Sequence, residues 1–571
     1  MHALWTCLLW LDADPARFWF AAWTAFGVTI LLALRAPGER KDPGTAVAGG
    51  QGWWWFAGCV FLTLAAFRWP SWFVPGDLNP DEAQILAGAI TLQHFPVYWK
   101  FVDGSTHGPL CEYLLLAANW LGAPLNYVTA RALAAGLQGL ALIGVWGTLR
   151  CFTSERLARL AILPGLAFWS FVSWHDFVHY STELPGIPLL ALAGWAVAAV
   201  LASPSSSHRD ALLLYLGGLC LGAVPFAKLQ SAPQAAAMAA IALLLLWFAH
   251  RDPLRLFARR AGWLVLGGVT PVVAVLVFLL VYGLQDQFWS SYILSNVGYT
   301  GLGQHPLKEM PGWFFHFAST SSAFAWFLSG CIGFALLYAR PGAGRPAPLR
   351  IGIMVSWLLL GVAYVCVLSS SREAAHYLHL LVIPAATLSG FVLAAATSDP
   401  SDDPGRLRPR WTPVLLFGLL AVAPQLYDRA STWHQYLGRL AAHEKVPLSD
   451  TARFIRERAQ PGDTLAMWGW EPGLFVDTGL AQGTREAHSA CQLTTWPMQA
   501  FYVERYVRDM LRRRPVWFVD AVGPGGFIYE DRREFAHERT APLRDLIARD
   551  YVLLAEFKNK RIYRLRDAGG Q

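Results

Sequence analysis

Three acidic residues lie close together in the segment PGDLNPDEAQ, just after an apolar segment. They are Asp77, Asp81 and Glu82. The last two begin a predicted helix that continues to about His94, and Pro80 suits its first turn. Simple helix capping therefore explains these charges about as well as chemistry does. The chemical alternative is that a carboxylate here deprotonates an attacking hydroxyl group.

Three later segments carry cations, histidines and acids at the ends of apolar runs. They are HDFVHYSTELP with His179 and Glu183, PFAKLQ with Lys228, and REAAHYLHLLVIP with Arg372, His376 and Tyr377. Taken singly, such residues are more often interfacial anchors. If they share one membrane face, they suit a reaction on an anionic lipid headgroup, because cations or a metal stabilise a departing phosphate. Sugar transfer from a polyprenyl phosphate is such a reaction.

The composition indicates what must position these residues. Of 571 residues, 55% are hydrophobic and only 15% are charged, with 27 Trp and 18 Tyr. This excess of apolar and interfacial side chains requires lipid. The net charge of +7 comes from basic residues scattered over many loops, which argues against nucleic acid as a partner. The eight cysteines show no disulfide or zinc spacing.

Apolar segments predict a polytopic α-helical membrane protein with about twelve transmembrane helices. They lie near 18–34, 53–67, 126–149, 158–174, 184–202, 211–227, 230–249, 262–282, 314–338, 351–368, 380–397 and 412–426. The first is expected to be retained, because the N-terminus lacks the basic leader of a cleaved signal. The apolar stretch 109–122 has only fourteen residues and contains Glu112, so we expect an interfacial helix there.

Alternate loops differ in charge, and this predicts the topology. The Arg-rich loops after 34, 149, 202, 249, 338 and 397 are expected to be cytoplasmic by the positive-inside rule. The opposite loops, including 68–125 and 175–183, are then periplasmic in a bacterial inner membrane. The prediction is a transmembrane domain over 53–430, preceded by an extra helix and loop over 1–52.

Residues 431–571 predict a soluble periplasmic α/β domain. We expect a helix capped by Ser449, a strand at TLAMWG, a helix near 497–513, the strand VWFVD, a helix near 541–548 and two closing strands. Their alternation favours a small, mostly parallel sheet. The segment VGPGG at 522–526 lacks a phosphate-loop pattern and is interpreted as a glycine-rich turn.

The order of these motifs resembles the GT-C superfamily of membrane glycosyltransferases, which includes the protein O-mannosyltransferases and the lipid A aminoarabinose transferase. The motifs are PDE in the first outer loop, HGPL where relatives commonly show KPPL, STELP, FAKLQ and HYLHLLVIP. The segment PGDTLAMWGWEPGLFVDTGL also resembles the outer domain of bacterial members. The resemblance implies an inverting transfer of a sugar from a polyprenyl phosphate donor to a lipid, glycan or protein acceptor.

Carried onto this chain, the resemblance implies roles for individual residues. Asp81 is the expected base or acceptor-orienting residue, with Glu82 beside it and Glu183 as second acid. The expected donor-phosphate contacts are Lys228, His107, Arg372 and His376, and the expected acceptor or accessory residues are Asp77, His179 and Tyr377. His107 and Glu183 depart from the usual Lys and Asp.

No cofactor is expected to be essential, although the acids and histidines are compatible with a divalent cation. Two other functions stay open at this point. A transporter or flippase of a lipid-linked substrate also needs many spans and an interfacial polar cluster, but the apolar segments here carry almost no charge at their centres. An inactive membrane scaffold would explain the two motif departures.

Overall fold

The computed structural model describes residue 6 and residues 10–38, 52–203, 208–249, 254–301, 309–338, 346–369, 374–397, 411–431, 448–558 and 560–566. The chain forms two compact units, each assembled from three segments. The membrane unit comprises Met1–Val74, Ala132–Val277 and Gln304–His443. The sheet unit comprises Pro75–Arg131, Phe278–Gly303 and Glu444–Gln571, so it unites the first large loop with the C-terminal segment.

Helices dominate the chain up to residue 431. The first are α1 (Pro15–Leu34), α2 (Trp53–Trp72), α3 (Pro80–His94), α4 (Leu110–Trp120), α5 (Tyr127–Arg150), α6 (Glu155–Ala161), α7 (Leu163–Phe171), α8 (His175–Val178) and α9 (Gly186–Leu201). Next come α10 (His208–Ala223), α11 (Ala232–Ala249), α12 (Leu254–Tyr282), α13 (Gln285–Gln287) and α14 (Ser295–Gly301). The series ends with α15 (Met310–Ser319), α16 (Ser322–Tyr338), α17 (Ala347–Ser369), α18 (His379–Thr397), α19 (Trp411–Phe417) and α20 (Ala423–Ser431).

The C-terminal segment alternates helices and strands. They are α21 (Asp450–Arg456), β1 (Thr464–Trp468), α22 (Gly473–Thr478), β2 (Ala481–Gln482), α23 (Ala490–Leu493), α24 (Gln499–Arg513), β3 (Trp517–Asp520), α25 (Arg532–Phe535), α26 (Ala541–Asp550), β4 (Tyr551–Phe557) and β5 (Lys560–Leu565). The expected helices and strands of this segment are confirmed, including the cap, where the Ser449 hydroxyl accepts the Ala452 N–H at 3.1 Å.

Seven helical segments among the described residues are long and apolar enough to cross a bilayer. They are α1, α5, His208–Phe226, Leu229–Phe248, α12, α17 and Ala375–Thr397. An eighth exists if α15 and α16, which meet at a bend of 115°, form one broken span. The protein is therefore a multi-pass membrane protein of mainly helical fold, while the total of twelve spans stays a prediction.

Two segments expected to be single helices are interrupted. Within the expected span 314–338, the hydroxyls of Ser319 and Thr320 donate to the carbonyls of His316 and Phe317 at 2.6 Å each, and this competes with helix continuation. The expected span 158–174 is divided between α6 and α7. Pro164 lies in the first turn of α7 and has no N–H with which to continue α6.

Close helix packing fixes the segment that precedes Lys228 in the membrane unit. A Cβ atom on Gly218 of α10 would lie 2.8 Å from the backbone nitrogen of Gly268 in α12. Only glycine permits this approach, which is typical of packed transmembrane helices. The last turn of α10 is thereby held against α12 a few residues before Lys228.

The sheet unit contains a five-stranded sheet in the order β2-β1-β3-β5-β4. Strand β1 pairs in parallel with β2 and β3, whereas β5 is antiparallel to β3 and β4. The expected mostly parallel sheet is thus wrong for its second half. Strand β4 ends at Phe557 and β5 begins at Lys560, which leaves no room for the crossover that a parallel pair needs.

The first loop is part of the packing of this sheet. Alternating residues of β1 enter two different cores, and the core that contains Leu465 and Met467 also contains Ala87 of α3. The hydroxyl of Thr91, one turn further along α3, accepts the backbone N–H of Gln482 at 2.9 Å. Helix α3, which begins with Asp81 and Glu82, is therefore anchored on the C-terminal sheet.

Candidate functional site

Two groups of ionisable side chains account for most of the expected site residues. The acidic-loop cluster lies in the sheet unit and consists of Asp81, Glu82, His107, Glu112 and Arg131. The lysine cluster lies in the membrane unit and consists of Glu183, Lys228, His179, His376 and His379.

Asp81 lies in the first turn of α3, as expected from the sequence. The side chain of Asn79 caps the helix by accepting the Asp81 N–H at 3.0 Å. Pro80 occupies the start of the helix, where its missing N–H costs nothing. Asp81 is half-buried, and the nearby Asp77 is exposed.

Glu82 is fully buried and bound to Arg131. The guanidinium Nη2 and Nε of Arg131 donate to Glu82 Oε2 at 2.8 and 3.2 Å, and Nε also approaches Oε1 at 3.1 Å. The Leu78 N–H donates to the same carboxylate at 3.3 Å, and Arg131 Nη2 donates to the Gly76 carbonyl at 2.6 Å. These bonds fix the turn that precedes Asp81.

His107 pairs with a residue that the sequence did not assign to the site. Its Nε2 lies 2.7 Å from Glu112 Oε1, and both side chains are buried. Burial raises the pKa of the Glu112 carboxyl group, and the His107 ring opposes that shift. The segment 109–122 forms α4, which has 11 residues and is not among the helices long enough to span.

The charge of Asp81 acts on the pKa of His488, a buried histidine of the C-terminal segment. His488 Nδ1 accepts the Ala490 N–H at 3.2 Å, which leaves the ring proton on Nε2 when the ring is neutral. Burial lowers the pKa of His488 to about 4, while the Asp81 charge opposes this shift and His107 adds to it. His488 is therefore a neutral hydrogen-bond donor near Asp81 at neutral pH.

An arginine network ties the first loop to the helix α24. Arg505 Nη2 donates to Asp103 Oδ2 at 2.5 Å and also binds Glu486, and all three side chains are buried. Arg485 Nε lies 3.1 Å from Asp509 Oδ2, and the Asp103 N–H donates to the Arg485 carbonyl at 2.9 Å. This network holds the loop in place within the sheet unit.

In the membrane unit, Lys228 binds Glu183. Its Nζ lies 2.5 Å from Glu183 Oε1 and 2.7 Å from the hydroxyl of Thr182, and it lies 4.6 Å from the centroid of the Tyr377 ring. Burial opposes the charge on Glu183, but the Lys228 ammonium and His376 outweigh burial and lower the pKa of this carboxyl group. The pair is therefore an ionised carboxylate beside an ammonium group.

Three histidines surround this ion pair. The rings of His179 and His376 have centroids 5.5 Å apart, and His376 Nδ1 lies 3.9 Å from Asp176 Oδ2. His379 Nδ1 accepts the indole N–H of Trp169 at 3.1 Å. The Trp169 contact thus fixes the orientation of the His379 ring, and a contact of His179 Nδ1 with the His175 carbonyl at 3.0 Å fixes that of the His179 ring.

Several buried polar atoms here have no hydrogen-bond partner in the part of the chain that the structure describes. They are Nε2 of His179 and His379, Oγ of Ser181 and Ser231, and Oε2 of Glu183. Each of these side chains is at most 1% exposed. Since an unsatisfied buried polar group costs about 1–3 kcal/mol, such a concentration favours a polar ligand at this place.

One group among the described residues has the ligand atoms of a metal site. Asp520, His537 and Glu538 place three such atoms within 4.8 Å of one another. However, Arg532 Nη2 lies 2.9 Å from Asp520 Oδ2, and Arg561 Nη1 lies 2.6 Å from Glu538 Oε1. These arginines already neutralise the carboxylates, so the group is an ion-pair cluster next to β3.

Comparison with solved structures shows what fold carries these clusters. ArnT from Cupriavidus metallidurans bound to undecaprenyl phosphate superposes with a TM-score of 0.56 at 12% identity, over 90% of this chain and 98% of that one. Apo ArnT gives a TM-score of 0.52 at 13% identity, over 88% and 97%. The chain has the GT-C fold. No protein-family model and no curated protein matches the sequence.

The GT-C fold confirms the resemblance that the motifs indicated, and the expected residues fall into the two clusters. Asp81, Glu82 and His107 belong to the acidic-loop cluster, with Asp77 at its exposed edge. The lysine cluster and its neighbours contain Glu183, Lys228, His179, His376 and Tyr377. Arg372 lies outside the described residues. The chemical role of every one of these residues stays a prediction.

Sequence reasoning missed the partners rather than the principal residues. Arg131 and Arg505 were not selected, although Arg131 is a charge near the start of an otherwise apolar helix, which is a usable signal. Arg68 in α2 is similar, because it donates to the carbonyls of Val172 and Phe177 at 3.2 and 2.9 Å. His488 lies in a loop without a motif, and only the folded sheet unit brings it near Asp81.

Proposed function

We propose that this protein is an inverting glycosyltransferase that moves a sugar from a polyprenyl phosphate to an acceptor of the cell envelope. The observation that carries this proposal is the lysine cluster, where a buried ammonium group lies among unsatisfied buried donors and acceptors. This combination suits a phosphate, which needs a cation and several hydrogen bonds. ArnT, the structural neighbour, was solved with undecaprenyl phosphate bound.

An apolar cavity of the membrane unit supports a lipid-linked donor. Its volume is about 360 Å³, and its lining comes from α5, α9, α11, α17 and α18. The lining side chains are mostly aliphatic, and they include Gln234, which follows Lys228 by six residues. An isoprenoid chain is an apolar ligand that such a cavity accepts, with the phosphate at Lys228.

The reaction that the resemblance implies assigns one step to each cluster. The Asp81 carboxylate accepts the proton of the acceptor hydroxyl, whose oxygen attacks the anomeric carbon opposite the phosphate. The bond between that carbon and the phosphate oxygen breaks, and the phosphate leaves with the electron pair. Lys228 stabilises the charge on the departing phosphate. Glu183 orients Lys228, so it acts through the lysine, and Glu82 positions Asp81 through the turn that it holds with Arg131.

The charge of the loops supports a location in a bacterial inner membrane with the reaction on the periplasmic side. Acceptors on this side are lipids, glycans or proteins of the envelope. Lys228 supplies the cation in this scheme, so a divalent metal is not essential to it. Sugar and acceptor are to be identified by experiment.

Glycolipid and polysaccharide profiling of a deletion strain tests the proposal. We expect one sugar modification to disappear and to return when the wild-type gene is restored. Asp81→Asn should not restore it, although the variant reaches the membrane in normal amount. Asp545→Asn is the control, because Asp545 is an exposed acid of the same unit that lies outside both clusters, and it should restore the modification.

Three results would contradict the proposal. An unchanged glycan profile in the deletion strain would remove the transferase function. Full restoration by Asp81→Asn would remove Asp81 as the base. Flipping of a lipid-linked sugar by the purified protein in vesicles, without sugar transfer, would indicate a transporter.

A further inference from the structure

The crevice at the carboxyl ends of β1 and β3 has the location of a ligand site. These two parallel strands are neighbours, and the chain leaves β1 toward β2 on one side and β3 toward β5 and β4 on the other. In open α/β sheets, ligands bind where neighbouring connections diverge in this way. Gly469, with a φ of +103°, lets the segments that follow β1 and β3 approach closely, because a Cβ atom there would lie 3.2 Å from the Ala521 backbone.

Aromatic side chains from both strand ends meet in this crevice. The ring of Trp470, which follows β1, stacks on His488 with centroids 4.4 Å apart and an interplanar angle of 18°. The same ring contacts the edge of Phe527, which follows β3, at 5.2 Å. The indole N–H of Trp470 is buried and has no hydrogen-bond partner among the described residues. Phe527 is 47% exposed, so this aromatic surface is open to a ligand.

The loop that carries Phe527 is the glycine-rich turn VGPGG with its continuation to Tyr529. Gly525 has a φ of +81°, and the neighbouring Ile528 has a φ of +66°, which is strained for a β-branched residue. Ile528 is also 64% exposed. A strained backbone and two exposed apolar side chains at a strand end are more typical of a binding loop than of a simple connection.

The crevice offers hydrogen bonding without net charge. His488 is 6% exposed, its Nδ1 is occupied by the Ala490 N–H, and its low pKa keeps the ring neutral. Its Nε2–H therefore donates to a hydroxyl or carbonyl group rather than binding an anion as a cation would. An aromatic surface with a neutral donor suits a sugar ring, whose C–H groups meet the negative face of an aromatic ring while its hydroxyls form hydrogen bonds.

We propose that this crevice is a carbohydrate subsite, in which Phe527 and Trp470 contact a sugar ring of the acceptor and His488 donates to one of its hydroxyls. The proposal rests on the proposed function, and it names the acceptor class as a glycan or glycolipid. Asp81 and His107 are the ionisable neighbours that act on His488, so the subsite lies beside the residue that would activate the acceptor.

Glycan binding by the full-length protein in lipid nanodiscs tests this inference without any donor. The probe is an array of bacterial envelope oligosaccharides. Wild type should retain at least one of them, and Phe527→Ala should weaken its binding about tenfold, whereas Phe527→Tyr retains the ring and the affinity. Ile528→Ala is the matched control, because it removes an exposed apolar side chain of the same loop without removing a ring.

A second pair of variants separates this subsite from catalysis. Asp81→Asn should bind the same glycans as wild type while transferring no sugar, and His488→Ala should lose binding while the protein still unfolds in a cooperative transition at pH 7. The inference would be overturned if wild type retained no glycan or if Phe527→Ala bound as well as wild type. It would also be overturned if Phe527→Ala and Ile528→Ala only reduced binding to anionic lipid vesicles, because the loop would then contact the membrane.

Discussion

Two buried carboxylates of this chain are both paired with a cation, yet their surroundings differ. In the sheet unit, Glu82 receives hydrogen bonds from Arg131 and from the Leu78 N–H, and both of its oxygens are used. In the membrane unit, Glu183 binds Lys228 through one oxygen, and the other has no partner among the described residues. We call the Glu82–Arg131 pair saturated, because both carboxylate oxygens accept hydrogen bonds. The Glu183–Lys228 pair is unsaturated, because one carboxylate oxygen accepts none from the described residues.

This difference distinguishes an ion pair that holds the structure together from an ion pair that can bind a ligand. A saturated pair holds backbone segments in place and gains nothing from a ligand, because every hydrogen bond is already made. In the unsaturated pair, the second oxygen of Glu183 retains the capacity to accept a hydrogen bond from a sugar hydroxyl beside the phosphate. We therefore assign the fixing of the Asp81 turn to Glu82 and Arg131, and phosphate binding to the surroundings of Lys228.

The largest expected effect is the loss of stability when the Glu82–Arg131 pair is broken. Glu82→Ala leaves the buried guanidinium of Arg131 without its carboxylate and should lower the free energy of unfolding by about 3–5 kcal/mol. Thermal and denaturant unfolding of the purified protein in detergent measure this change. Asp77→Ala, an exposed control in the same loop, should change it little. Normal stability with lost transfer would give Glu82 a chemical role and break the comparison.

The next largest expected effect is the loss of sugar transfer when the Glu183–Lys228 pair is changed. Lys228→Met removes the ammonium group that we propose for the departing phosphate, and sugar transfer should fall at least about 100-fold. The double variant Lys228→Met with Glu183→Gln should recover stability, because no buried charge is left unpaired, but it should not recover transfer. Lys100→Met, at an exposed lysine, serves as control. Recovery of transfer by the double variant would make Lys228 a structural residue only.

A third carboxylate sharpens the comparison because no cation among the described residues forms an ion pair with it. Asp477 forms no ion pair within the described residues, and burial with the charges of Asp77 and Glu471 raises its pKa to about 6. The folded protein therefore binds this proton more tightly than the unfolded chain does, so stability falls as the pH rises from about 4 to 6. At pH 7, Asp477→Asn should stabilise the protein by about 1–2 kcal/mol, a value reduced for solvent screening.

Unfolding measured across pH checks this sign. The advantage of Asp477→Asn should be complete above about pH 6 and should disappear below about pH 3, where the wild-type carboxyl group is protonated in both states. A stabilising effect that is independent of pH would show that the charge of Asp477 is not its cause.

The smallest expected effect on sugar transfer is that of removing divalent metal ions with a chelator. If Lys228 supplies the cation at the phosphate, EDTA should leave the rate of sugar transfer unchanged. Loss of transfer that Mg²⁺ or Mn²⁺ restores would add a metal to the site and would weaken the distinction between the two carboxylates.

The sequence predicted most of the fold because hydropathy and turn residues act locally. The start of α3 at Pro80 and the cap at Ser449 follow from a few neighbouring residues, and both are confirmed. The bend between α15 and α16 and the antiparallel half of the sheet were missed. The length of an apolar segment does not show where a helix bends. The composition of a strand does not show whether its partner runs parallel or antiparallel to it.

The sequence predicted the site less completely because pairing is a tertiary property. Asp81, Glu183 and Lys228 could be selected as site residues from their type and their place at the ends of apolar segments. The neighbouring sequence does not indicate, however, that Glu82 binds Arg131, which lies 49 residues away. The contact of Arg505 with Asp103 spans 402 residues and depends on the joint folding of the first loop and the C-terminal segment. Such partners decide whether an acid is saturated, which is the property that separates the two clusters.

Binding of undecaprenyl phosphate to the purified protein tests the central claim most directly. The melting temperature of wild type in detergent should rise with added undecaprenyl phosphate, because a ligand that binds the folded state stabilises it. Lys228→Met should abolish this rise, and Asp81→Asn should retain it. An equal rise in Lys228→Met, or no rise in wild type, would contradict the assignment of phosphate binding to the lysine cluster.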